Sequence, residues 1–153
     1  MLLEPKPDNP CFGCGGANPR GMKLTFEQDD TTQRIRGRFR LGAEYCGGPG
    51  FIHGGVIALL LDEAMAKVSR FHQVRAATAE LTVEYLKFIA VDADIVVEAQ
   101  EVECNGRMHL RVGEIRDAAG EVLARGRGRF IELGAPRTAG QSSAAANVPG
   151  SSS

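Results

Sequence analysis

The residues best suited to chemistry in this chain are two adjacent glycines and an acidic pair that share one apolar segment. Gly54 and Gly55 open the run, and Asp62 and Glu63 lie in its middle. Glycine weakens a helix by about 1 kcal/mol relative to alanine, but bare backbone N–H groups at a helix N-terminus favour developing negative charge. A carboxylate inside an apolar helix is unfavourable without a partner or a task. The combination predicts acyl transfer to water.

The spacing of these residues limits how they act together. His53 precedes Asp62 by nine positions, which corresponds to about 13 Å along an α-helix. Two and a half turns also place the two side chains on opposite sides of that helix. One helix therefore does not bring both to the same carbonyl carbon, whereas two antiparallel helices across a two-fold axis do. We expect a dimer with two equivalent sites.

The pattern around this segment predicts the elements that position it. The helix is expected to run from about His53 to Phe71, and its apolar surface requires a cover on nearly every side. Alternating or β-branched residues predict the strands 22–26, 34–41, 77–89, 94–104, 108–117 and 121–133. Turn residues separate the last four, and Asn105-Gly106 is a strong hairpin signal.

This order of elements predicts an α+β fold in which a curved antiparallel sheet of five to six strands wraps one long central helix. One such layer leaves a sheet edge and a helix flank uncovered, so the dimer is expected to have a continuous sheet. The domain boundaries follow: an irregular arm at 1–21, the folded domain at 22–134, and a disordered tail of Ser, Ala, Gly and Pro at 135–153.

Length and charge narrow the function classes. The 153 residues suffice for one domain with a real core, and the net charge of −1 offers no general attraction to nucleic acid or membrane. The longest uncharged apolar stretch, Val56–Leu61, is far shorter than a membrane span of about 20 residues. The N-terminus does not resemble a secretory signal, so we expect a cytoplasmic location. Arg34 to Arg40 alternate with apolar residues, which is typical of a solvated sheet face.

The cysteines predict no metal. Cys11 and Cys14 have zinc-knuckle or redox spacing, but a second close pair is missing from the sequence. We therefore interpret them as small buried thiols in a glycine-rich turn.

Three stretches resemble the hot-dog-fold acyl-CoA thioesterases of the phenylacetate-pathway (PaaI-like) group. They are 11–24, 50–65 and 78–87, and the likeness extends over about residues 11–133. The resemblance implies hydrolysis of an acyl-CoA to a free acid and coenzyme A, with no cofactor beyond the coenzyme A of the substrate. It also implies a site shared by two subunits, and a homodimer that assembles further into a tetramer.

Matched to the family motif, Gly54 supplies the backbone N–H that stabilises the oxyanion, and Gly55 lets the acyl group approach the backbone or adds a second donor. Asp62 is the general base or the nucleophile, since desolvation by its leucine neighbours should raise its pKa. Thr78 orients the water or the carboxylate, with ordinary strand filler as the alternative. His53 positions the substrate carbonyl or the loop.

Other residues are assigned more broadly to substrate binding. Glu63 is an alternative base, as in other hot-dog branches. The family often places Asn or Gln six or seven residues before the histidine, where this chain has Gly47 and Cys46; Cys46 has no histidine near it in sequence to activate it as a nucleophile. Candidates for the phosphates of coenzyme A are Lys87, Arg107, Arg127 and Arg129.

Two alternatives remain open. A hot-dog module could bind or sense acyl-CoA without hydrolysing it, and a hot-dog hydratase or dehydratase could use His53 with a carboxylate. The glycine pattern around His53 resembles the thioesterase group better.

Overall fold

A computed structural model describes residues 1–134 as one seven-stranded antiparallel sheet packed on one α-helix. The strands are β1 (Leu2–Leu3), β2 (Phe26–Asp29), β3 (Arg34–Arg40), β4 (Ala76–Tyr85), β5 (Asp94–Asn105), β6 (Met108–Asp117) and β7 (Val122–Glu132). The helix α1 spans Gly54–Lys67 and lies between β3 and β4 in the chain. The order across the sheet is β1-β2-β3-β5-β6-β7-β4.

The predicted α+β architecture, an antiparallel sheet around one central helix, is confirmed, with a larger sheet than the expected five to six strands. The additional strand is β1, in which Leu2 and Leu3 pair with Glu27 and Phe26. Two residues are too few to show an alternating pattern in a sequence, which is why the sequence predicts an irregular arm there. The tail predicted to be disordered, 135–153, lies outside the described residues.

The helix is shorter than the predicted range 53–71. His53 has extended backbone angles (φ −59°, ψ 135°) and caps α1 instead of joining it. At the other end, Val68–His72 tightens into a 3₁₀ helix, and Gln73 closes it with a left-handed φ of 55°. No helix within residues 1–134 has the length and apolar character needed to cross a bilayer.

Strand β2 begins later than the predicted 22–26. Lys23 has a positive φ of 51°, which interrupts an extended strand. The backbone N–H groups of Met22 and Leu24 donate to the arm at Phe12 and Gly13. The segment 22–24 therefore holds the arm, and the sheet starts at Phe26.

The core lies between α1 and the sheet. Leu60, Leu61 and Met65 on the helix are fully buried, as are Ile115 and Phe130 on the sheet. Beneath them, β6 and β7 carry glycines. A Cβ added at Gly113 or Gly126 would lie 3.2 Å from a Leu61 or Met65 side-chain atom. These glycines let the helix approach β6 and β7 closely.

A buried ion-pair network connects the sheet to the end of α1. The Arg111 side chain is 0% exposed; its Nε donates to Glu101 at 3.2 Å, and its Nη1 donates to the Met65 carbonyl and the Ser69 hydroxyl. His109, also fully buried, contacts Glu101 through Nδ1 and Glu132 through Nε2. Burial raises the pKa of Glu101, but the hydrogen bonds from His109 and Arg111 outweigh it and hold that pKa below its usual value.

We expect Glu101→Ala to lower the free energy of unfolding by about 3–5 kcal/mol, because it leaves the Arg111 charge buried and unpaired. Urea denaturation at neutral pH measures this loss. Glu103→Ala removes an exposed carboxylate from the same strand and should change stability by less than about 0.5 kcal/mol. Because the pKa of folded Glu101 is lowered, its contribution is present above its unfolded pKa and is lost as the pH falls through the folded value. Equal stability of the two variants would contradict the network's role.

The two edges of the sheet differ. One is the two-residue strand β1, and the other is the ten-residue strand β4. Most residues of β4 are exposed, and its outer edge pairs with no other strand in the described part of the chain. A long open edge strand is a surface for pairing with another chain.

Candidate active site

The N-terminus of α1 presents one unoccupied backbone donor. The His53 Nδ1 accepts a hydrogen bond from the Gly55 N–H at 2.8 Å, and the His53 carbonyl accepts from Val56 and Ile57. The Gly54 N–H has no acceptor among residues 1–134. The second donor expected at Gly55 is thus taken by His53, and Gly54 is the residue whose N–H remains free.

The loop before the helix holds His53 in place. Its N–H donates to the Tyr45 carbonyl at 2.8 Å. Gly47 packs against the histidine, since a Cβ at position 47 would lie 3.1 Å from the His53 Cα. Cys46 bridges to Ile52, and its exposed thiol forms no hydrogen bond within the described chain. Gly47 and Cys46 therefore shape the loop around His53.

Tyr85, at the end of β4, covers the same helix terminus. Its hydroxyl donates to the Gly54 carbonyl at 2.7 Å, and its ring lies 3.5 Å from where a Gly54 Cβ would be. Tyr85 could not be predicted from the sequence, because the pattern of a strand does not show that its last residue reaches the helix. Its phenol fixes the Gly54–Gly55 peptide, which directly follows the free Gly54 N–H.

The second part of the candidate site lies further along α1. The Thr78 hydroxyl donates to Asp62 Oδ1 at 2.7 Å. A bulge between Thr78 and Glu80 breaks the regular β4–β7 register directly after the threonine, and such bulges redirect neighbouring side chains. The structure thus brings together Asp62 and Thr78, two of the predicted catalytic residues.

The electrostatics of Asp62 suit a base. Burial raises the pKa of Asp62; the hydrogen bond from Thr78 lowers it in part, and the nearby charge of Glu63 raises it further. The net direction is upward. Asp62 remains only partly buried, so it is both perturbed and accessible, which is a combination found at functional sites.

One chain does not bring the two parts together. Tyr85 contacts α1 at Gly54, and Thr78 contacts it further along, at Asp62. Eight residues of α-helix separate Gly54 from Asp62, a rise of about 12 Å. A group bound at the Gly54 N–H is therefore more than two helical turns away from Asp62 along the helix of the same chain.

Glu63 points away from this arrangement. Its Oε1 accepts a hydrogen bond from the Cys11 thiol at 3.2 Å, and its side chain fills the space beside Gly13. The structure does not bring its carboxylate together with Thr78 or with the helix N-terminus. The alternative of Glu63 as base has no supporting contact in the described residues.

The basic residues named for phosphate binding differ in their partners. Lys87 pairs with Glu121, Arg107 donates to the Glu132 carbonyl, and Arg129 lies 3.7 Å from Glu80. Arg127 is exposed and forms no ion pair among residues 1–134. On the arginine strand, Arg34 and Arg36 pair with Glu98 and Arg40 with Asp94. The arginine face of β3, which was predicted to be solvated, therefore carries ion pairs with the neighbouring strand β5.

Comparison with known proteins relates the chain to one family. Residues 49–124 match the family model described as the thioesterase superfamily. The acyl-coenzyme A thioesterase THEM4 of Rattus norvegicus is 32% identical over 87 residues, which cover 57% of this chain and 37% of that protein. The chain spans 33% to 58% of the length of the curated relatives that it matches.

Solved structures agree on the fold. A crystal structure of a thioesterase superfamily protein matches with a TM-score of 0.71 and 28% identity, over 76% of this chain and 57% of that one. The E. coli PaaI protein from the phenylacetic acid degradation operon matches with a TM-score of 0.63 and 20% identity, over 67% of this chain and 74% of that one. At that identity the second likeness concerns the fold.

Proposed function

We propose that this chain, which belongs to the thioesterase superfamily, hydrolyses acyl-CoA thioesters to a free acid and coenzyme A. The predicted relationship to the hot-dog thioesterases is confirmed at the level of the family. The observation that carries the proposal is the half-buried Asp62, held by Thr78, with its pKa raised by burial. The name of the rat relative supports acyl-CoA as the substrate class.

In the proposed reaction, the Asp62 carboxylate removes a proton from a water molecule. The water oxygen then attacks the thioester carbonyl carbon. The Gly54 N–H donates to the oxygen that becomes negative, an interaction that strengthens as charge develops. The tetrahedral intermediate collapses with cleavage of the C–S bond, and the leaving thiolate takes the proton from Asp62. The reaction uses only water, so we propose that no cofactor takes part.

We propose that each site combines Asp62 of one copy with Gly54 of another. The separation of about 12 Å along α1 supports this arrangement, and the open edge of β4 supplies a surface on which two copies can pair into one sheet. Pairing there would also cover the exposed Tyr85 and Thr78. Further assembly into a tetramer is compatible with this dimer.

The proposal is tested by release of free thiol from a panel of acyl-CoAs that differ in chain length and aromatic character. We expect turnover on at least one of them. Tight binding of coenzyme A esters without release of thiol would instead favour the binding or sensing module. Incubation with an enoyl-CoA and a search for the hydrated product separates hydrolysis from the hydratase alternative.

We expect Thr78→Val to move the acid limb of the kcat/KM profile to higher pH. The base acts when ionised, so the rate falls as the pH drops through the pKa of Asp62. The Thr78 hydroxyl lowers that pKa, and valine removes the hydrogen bond while keeping the branched shape. Thr82→Val, on the same strand, is the control and should leave the limb in place. An unshifted limb in Thr78→Val would show that Asp62 is not the titrating base.

A further inference from the structure

Three potential metal ligands from distant parts of the sequence converge beside α1. Cys11, Cys14 and Glu63 each place one ligand atom within 4.8 Å of the others. The Cys11 thiol lies 3.2 Å from Glu63 Oε1, and all three residues are half-buried. Two of these ligands have zinc-knuckle spacing, and the third, Glu63, is far away in the chain.

The local backbone is shaped around this convergence. The Gly15 N–H donates to the Cys11 carbonyl at 2.9 Å, which closes the turn that carries both cysteines. Between them, a Cβ at Gly13 would lie 2.5–2.7 Å from the Glu63 side chain. A side chain at position 13 would therefore displace the Glu63 carboxylate, which lies against the backbone of the turn.

The three donor atoms favour a particular class of metal ion. Two thiolates with one carboxylate suit a borderline-soft divalent cation that accepts tetrahedral geometry, and zinc is the common example. Two thiolates and a carboxylate around such an ion leave one net negative charge. Lys67, one helical turn after Glu63, lies along the same surface groove as the three ligands and supplies a compensating positive charge.

We infer that Cys11, Cys14 and Glu63 bind a zinc-class divalent cation, with the fourth position open to water from the groove. This goes beyond the proposed hydrolysis and does not depend on it. The site would tie the N-terminal arm to α1 at the residue next to Asp62.

A bound cation would stabilise the N-terminal arm, which has few hydrophobic contacts of its own. Among the described residues, none of the buried hydrophobic core lies between positions 4 and 21. Backbone hydrogen bonds and the Cys11–Glu63 contact hold that stretch in place. A bound cation substitutes for a hydrophobic core in small, loop-rich segments.

A second group of potential ligands, His72, Glu101 and His109, is already committed to ion pairs. Both nitrogens of His109 contact carboxylates, and the Arg111 guanidinium lies 3.2 Å from the same Glu101 oxygen. A cation there would face a buried positive charge. This group therefore serves as the internal control for the first.

The test uses the full chain, purified under reducing conditions, stripped of metal with a chelator and titrated with Zn²⁺ against a chromophoric competitor. We expect one zinc ion per chain. Cys11→Ser and Cys14→Ser should each weaken binding by more than the roughly 10–100-fold that loss of an outer-shell partner causes. Glu63→Gln should weaken it by about tenfold or more. Substitution by Co²⁺ should give a thiolate charge-transfer band that the serine variants lose.

Matched variants keep the test specific. Cys46→Ser and His72→Gln should bind zinc like the unmodified chain, and Zn²⁺ should raise the melting temperature of those variants but not that of Cys14→Ser. Stoichiometric zinc in the Cys11→Ser/Cys14→Ser double variant would overturn the inference. So would zinc binding that is lost in His72→Gln, or a Cys11–Cys14 disulfide in protein kept under reducing conditions.

Discussion

Asp62→Asn is expected to reduce kcat for acyl-CoA hydrolysis by about 10²–10⁴-fold, which is the usual contribution of a positioned general base. Asparagine keeps the size of the side chain and a carbonyl oxygen for the Thr78 hydroxyl, which donates to Asp62 at 2.7 Å. It lacks the negative charge that removes a proton from water. Steady-state release of coenzyme A thiol, with the same substrate for both proteins, measures the effect.

The stability of Asp62→Asn and the activity of a control variant are checked in parallel. Burial raises the pKa of Asp62, so ionisation of this carboxyl lowers the stability of the folded protein relative to the unfolded chain. Asp62→Asn should therefore fold at least as stably as the unmodified chain. Asp30→Asn, in an exposed turn, is the control for carboxylate removal. A drop no larger than that of Asp30→Asn would reject Asp62 as the base.

Gly54→Pro is expected to lower kcat by about 10²–10³-fold, the effect of removing one oxyanion donor. Proline deletes the only N–H proposed to bind the oxyanion. It should be tolerated structurally, because Gly54 is the first residue of α1, where proline is favoured. His53 already has the extended backbone (φ −59°, ψ 135°) that a residue before proline prefers.

Gly54→Ala is the matched comparison for this prediction, because alanine keeps the N–H. Its Cβ would lie 3.5 Å from Tyr85, an ordinary contact distance. Both variants add bulk at the same point, so the difference between them isolates the donor. Circular dichroism verifies that α1 persists. Equal activity of Gly54→Pro and Gly54→Ala would show that the Gly54 N–H does not stabilise the transition state.

The central parts of the fold could be predicted because their physical signals are local. The alternating residues of β3, β5, β6 and β7 predicted those strands within a residue or two of their observed bounds. The apolar run from Val56 to Met65 predicted a buried helix, and five of its residues are buried. Asn105-Gly106 predicted a hairpin, and Gly106 has the positive φ of 61° that the turn requires.

What the sequence left unpredicted depends on contacts between distant residues. The cap formed by His53 determines which glycine N–H is free, and Tyr85 contacts the helix because β4 packs along it. The sequence alone could not show whether Asp62 or Glu63 is the candidate base, because the two are adjacent carboxylates in the same helix. The direction of the Glu63 side chain is set by the arm, where Gly13 leaves room for it.

The central claim, that Asp62 and Gly54 act together from two copies of the chain, is tested most directly by mixing inactive subunits. Asp62→Asn and Gly54→Pro are co-expressed with different tags, and the mixed dimers are purified. In a shared site, one of the two sites in each mixed dimer carries both defects and the other carries none. We predict recovery of about half of the unmodified activity, as two-fold symmetry requires. Mixed dimers that remain as inactive as either parent would contradict the account.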